Sequence, residues 1–139
     1  MNARTFALYG GIVFLAIGFL SFIPGLEGTY DNLIRLDMNV SYARFLGLFP
    51  MNLYNKGALM TFGIVGIMVS REEKIIHCIH FAKAVFIAMV PLAILGLIPA
   101  TQTLFGQWPL YGAEAGAHAF FGLLGGYFGF IENRSQRTV

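Results

Sequence analysis

The sequence predicts an all-α integral membrane protein: a four-transmembrane-helix bundle made of two parallel-repeat helical hairpins, with both termini inside. Three observations predict it. Most of the chain lies in four long apolar runs of the size and low charge of membrane spans. Charged residues make up only 12% of the 139 positions and hydrophobic ones 57%, too little polar surface for a soluble fold of this length. The chain also repeats itself. Leu48-Phe49-Pro50-Met51, followed by Gly57, Phe62, Gly63 and Gly66, returns as Gln107-Trp108-Pro109-Leu110, followed by Gly116, Phe121, Gly122 and Gly125, at one constant shift. Phe22-Ile23-Pro24-Gly25 has a weaker echo in Leu97-Ile98-Pro99-Ala100.

Residues 1–139 read as a single transmembrane domain with spans at about 6–23, 53–70, 75–98 and 113–131. Span one follows Arg4 and stops at Pro24-Gly25. It is longer than the apolar core of a signal peptide and no small-x-small cleavage site follows, so a retained span is expected. The charged link Arg71-Glu72-Glu73-Lys74 is short and makes spans two and three a tight antiparallel pair. Pro91 should kink span three. The first long connection, 25–51, reads as an outer loop with short interfacial helices, one at Tyr30–Leu36 and one at Tyr42–Leu48 capped by Ser41.

Orientation follows from basic residues. Arg4, Arg71, Lys74, Arg134 and Arg137 fall on one side of a four-span chain, which the positive-inside rule makes the cytoplasmic side. Arg35 and Arg44 lie opposite. Tyr54, Trp108 and Tyr111 would form the outer aromatic belt, Tyr9 and Tyr127 the inner one. Because each half starts and returns inside, the halves run in the same sense, as a parallel repeat about an axis along the membrane normal.

Polar residues inside spans need a physical reason, since a mid-bilayer charge costs roughly 2.5–3.5 kcal/mol. Glu114 and His118 are one helical turn apart on span four. The repeat shift carries Asn55 onto Glu114, and Lys56 onto the neighbouring Ala115. An outer polar cluster of Asn55, Lys56, Glu114 and His118 between spans two and four is therefore expected. It serves as a structural clamp, as a ligand site, or in proton relay or metal ligation, although one His and one Glu are too few for a closed metal site.

His77 and His80, three apart and flanking Cys78, are weak candidates for metal or haem at an interfacial helix start. His80 and His118 sit near opposite ends of their spans and cannot share one iron. No cofactor is expected, and no catalytic residue. The lone cysteine removes internal disulfides and dithiol redox chemistry. The net charge of +2 without a basic stripe argues against nucleic acid. Gly112, Gly116, Gly122, Gly125, Gly126 and Gly129 give span four two small-residue seams. They suit helix packing within the bundle, or association with other membrane proteins or a second copy.

Gly11-Ile12-Val13-Phe14-Leu15-Ala16-Ile17-Gly18, then Phe19 to Gly25, Leu46-Gly47-Leu48-Phe49-Pro50-Met51-Asn52 and an acid four residues before a histidine resemble a family of small bacterial four-span membrane proteins catalogued as a domain of unknown function. The resemblance covers nearly the whole chain and implies the four-span topology; it brings no activity. With the positive-inside pattern it implies a bacterial inner (plasma) membrane. Members often carry histidines at the opening of span two, whereas Asn52 to Leu59 here has none. The first functional expectation is a non-enzymatic structural or accessory subunit of a membrane complex. The alternative is a small transporter or lipid- or ligand-binding protein using the outer cluster. The third is a haem- or metal-binding redox protein.

Overall fold

The computed structural model describes residues 1–135; Arg137, counted above among the inner basic residues, lies outside the described residues. Four helices carry the fold: α1 (Ala3–Leu20), α2 (Leu53–Ser70), α3 (Ile75–Leu97) and α4 (Ala113–Gly126). The first three are each long and apolar enough to cross a membrane. α4 has only 14 α-helical residues, but it runs on without a break into a π-helical stretch, Tyr127–Ile131, and a last α-helical turn, Glu132–Ser135.

Local chemistry sets the ends. Asn2 caps α1 by accepting from Thr5 N–H, so the helix starts before the expected position. Ser21 Oγ donates to the Gly18 carbonyl at the other end, and a single 3-10 turn, Pro24–Leu26, follows. Asn52 caps α2 reciprocally with Asn55, whose side-chain oxygen accepts the Asn52 N–H. α3 continues through Pro91.

Successive helices run antiparallel, and the closest pairings are α1 on α2 and α3 on α4. Glycine makes both possible. A Cβ on Gly63 would stand 2.5 Å from Leu15 N, and one on Gly66 2.8 Å from Ala7 O. In the other pair, a Cβ on Gly125 would stand 2.6 Å from Ala82 O, and one on Gly122 3.1 Å from Val90 N. Backbones this close leave no room for a side chain. Between the pairs sits a phenylalanine core: Phe6 stacks on Phe128, Phe6 and Phe62 meet Phe81, and Phe14 meets Phe121 edge-on.

One end, the turn end, holds the chain start and residues 71–74. Arg4 reaches across it to the carbonyls of Ser70 (2.8 Å), Glu73 (2.9 Å) and Glu72. The opposite, loop end corrects the sequence reading. Residues 25–51 form no interfacial α-helices. Strands β1 (Ala43–Phe45) and β2 (Phe49–Met51) pair antiparallel where a helix over Tyr42–Leu48 was expected. Ser41, Leu46 and Gly47 take positive φ, which a helix and its cap cannot use. Tyr30–Leu36 is irregular, with Asn32 also at positive φ. Its backbone is pinned at Ile34, whose N–H donates to Tyr111 Oη while Tyr42 Oη donates to its carbonyl. Tyr111 is thereby buried, not part of an exposed aromatic belt.

Candidate functional site

The loop end brings together three of the four expected cluster residues. Asn55 is fixed by the α2 cap, which turns its amide toward α4. There Nδ2 donates to Glu114 Oε1 (3.1 Å) and to the Pro109 carbonyl (3.3 Å). His118 Nε2 stands 3.7 Å from the same Oε1, within ion-pair reach but too far for a hydrogen bond. Glu114 is 4% exposed and His118 8%.

Lys56 does not join them. It leaves α2 on the side facing α1 and the loop, where Nζ donates to Ser41 Oγ (2.8 Å), lies 3.7 Å from Glu27 Oε1 and sits 5.0 Å over the Phe22 ring. One residue along a helix turns a side chain by about 100°, so neighbours in sequence serve two separate clusters.

Within the Glu114 cluster three buried polar atoms have no protein partner: Glu114 Oε2, His118 Nδ1 and Trp108 Nε1. All three residues line one cavity of about 100 Å³, together with Asn55 and apolar side chains of α2 and α3. A second cavity of about 90 Å³ lies on the far side of Glu114 and His118, roofed by Phe45, Phe49 and Met51 of the hairpin. An unpaired buried polar group costs about 1–3 kcal/mol, and three around one cavity call for a partner that is not protein. Trp108 was read as an aromatic anchor only. The signal that could have found it is its repeat position, directly before the proline whose carbonyl Asn55 binds.

The other candidates fall elsewhere. His77 and His80 lie at the turn end, where His77 Nδ1 contacts Glu72 Oε2 and His80 is exposed. No three His, Cys, Asp or Glu side chains converge as a metal site among the described residues. Gly122, Gly125, Gly126 and Gly129 are packed against α3, while Gly112 and Gly116 have nothing over them. A groove of about 590 Å³ runs between α2 and α3 toward Glu72 and His77.

The chain belongs to the family described as Domain of unknown function (DUF4383), whose model matches residues 4–131. Comparison with curated proteins and with solved structures gives no match.

Proposed function

We propose that this is a non-enzymatic ligand-binding membrane protein whose site is the cavity between Asn55, Trp108, Glu114 and His118. The observation that carries the reading is the trio of unpaired buried atoms around that cavity. A clamp closes its own hydrogen bonds; this cluster leaves a donor, an acceptor and an imidazole nitrogen unused. Toward the turn end the interior is packed with Phe6, Phe14, Phe81 and Phe128, which favours binding over conduction.

In this reading all four helices span a bacterial inner membrane, with Arg4, Arg71, Lys74 and both termini cytoplasmic and the cavity in the outer leaflet. The two hairpins are parallel repeats. Their glycine contacts support it: the shift that carries Phe22-Ile23-Pro24 onto Leu97-Ile98-Pro99 also carries Ala7 onto Ala82, Gly11 onto Phe86 and Leu15 onto Val90. Ala7 and Leu15 meet Gly66 and Gly63; Ala82 and Val90 meet Gly125 and Gly122, their repeat partners.

The test is gentle extraction with identification of whatever small molecule leaves with the protein. Glu114→Gln should abolish its retention while the empty protein keeps its thermal stability. Lost stability with nothing ever retained would make the cluster a clamp. A second reading, an accessory subunit, keeps one observation: Gly112 and Gly116, a turn apart, lie uncovered and would accept a helix from outside. A native mass exceeding one chain, reduced to one by Gly116→Leu, would favour it.

A further inference from the structure

Resting on that binding site, we infer that its ligand is an uncharged long-chain amphiphile, with a hydroxyl head in the Trp108–Glu114 cavity and its chain along the furrow between α2 and α3. The cavity and the 590 Å³ groove share Phe62 as a wall. On α2 the lining steps from Ala58 through Phe62 and Val65 to Val69; on α3 it steps from Leu92 through Ala88 and Ala84 to Phe81. Each step is three or four residues, so both lines stay on one helix face. From Asn55 to Val69 the furrow is about 21 Å long at 1.5 Å per residue. Its walls are mainly apolar from Ala58 to Val69, with Thr61 beside them and Glu72, His77 and His80 at the turn end. The furrow is open to lipid, since Ala84 and Val65 are exposed. The furrow exists because α2 and α3, joined by the 71–74 turn, pack together far less closely than the helices inside each pair.

The head end decides the ligand's chemistry. The cavity, about 100 Å³, is smaller than one that holds benzene, about 150 Å³, so the head is a few atoms. Trp108 Nε1–H needs an acceptor, and Glu114 Oε2 needs a donor when ionised and an acceptor when protonated. One hydroxyl, a donor with two acceptor lone pairs, serves both atoms in either state. Among the described residues no lysine or arginine lines the cavity: Lys56 is held by Ser41 and Glu27 on the other side of α2. A phosphate or carboxylate head would lie beside the Glu114 carboxyl with no lysine or arginine to balance its charge. An ammonium head would leave the indole N–H unserved.

Trp108 is the sole tryptophan of the chain, so its emission reports the cavity directly. The full-length protein in lipid nanodiscs is titrated with oleyl alcohol and, separately, with propanol, and is photolabelled with a diazirine derivative of palmityl alcohol. Expected are saturable emission shifts with both alcohols and label on the Ala58–Val69 and Ala84–Leu92 segments. Excess oleyl alcohol should remove that label, and Ala84→Phe should cut its incorporation at least ten-fold without changing the propanol response. A propanol response with no competed furrow label would overturn the chain inference and leave the site reading standing. No emission change with either alcohol, and label spread evenly over lipid-facing surfaces, would overturn both.

Discussion

Two polar clusters sit at the loop end of the bundle, built from adjacent residues of α2, and they are finished differently. Around Lys56 every buried group is used: the ammonium, 1% exposed, meets a hydroxyl, a carboxylate and an aromatic face. Around Glu114 the amide of Asn55 is used and three other polar atoms are not. The closed cluster ties α2 to the loop through Ser41 and Glu27. The open one ties Asn55 to Glu114 and Pro109 but borders two cavities with three polar atoms left over. Burial of a charge in a helix is therefore no guide to its role; the completeness of its hydrogen bonding is.

The largest stability effect should come from the closed cluster. Lys56→Ala removes the shared partner of Ser41 and Glu27 and leaves a void beneath Phe22, costing about 3 kcal/mol. Thermal unfolding in a fixed detergent measures it, and a loss below about 1 kcal/mol would erase the contrast between the clusters. Ser41→Ala should cost about 1 kcal/mol, one hydrogen bond to a charged donor, with Glu27 still in place. If the cluster acts as a unit, the double variant Ser41→Ala/Lys56→Ala will cost no more than Lys56→Ala alone.

The sequence made the helices legible and the loop opaque, for a physical reason. Span limits follow from runs of apolar residues, and α2 begins and ends where those runs do. The loop depends on tertiary pins, Arg44 to the Asn32 carbonyl and Asn52 to the carbonyls of Met38 and Gln107, which no local pattern announces. The site was half visible. The repeat shift places Asn55 opposite Glu114, and they bond. Helical phase sends Lys56 away, and the missing acid at Asn55 hid the capping box that orients it. The glycine seams were visible too, but only the packing shows that four of the six face α3.

A smaller effect belongs to the tyrosine pair that pins Ile34. Tyr42 Oη donates to the Ile34 carbonyl, contacts Tyr111 Oη and is pushed well above the ordinary tyrosine range, first by burial and then by that hydroxyl. Its folded value exceeds its unfolded value of 10.0, so its contribution is complete below that pH and is lost as the pH rises above it. Tyr42→Phe should cost about 1 kcal/mol at neutral pH and flatten part of the alkaline fall in unfolding temperature. An unchanged alkaline limb would place that fall elsewhere in the molecule.

The smallest expected change is the most discriminating. In the ligand-free protein Trp108→Phe should alter stability by no more than about 0.5 kcal/mol, in either direction. It deletes an N–H that is desolvated without a partner, which offsets the packing lost at the smaller ring. The aromatic contact with Tyr54, at 6.0 Å between ring centroids, is one a phenylalanine can keep in part. Chemical denaturation of stripped and ligand-loaded protein separates the two roles. The stripped variant should match the wild type, while the loaded variant should lose most of the stabilisation that ligand gives the wild type. A drop of more than about 1 kcal/mol in the stripped variant would mean that the indole already has a partner, such as an ordered water bridging it to Glu114. The open cluster would then be closed after all, and the difference between the two ends of Asn55-Lys56 would reduce to which atoms, protein or solvent, complete each network.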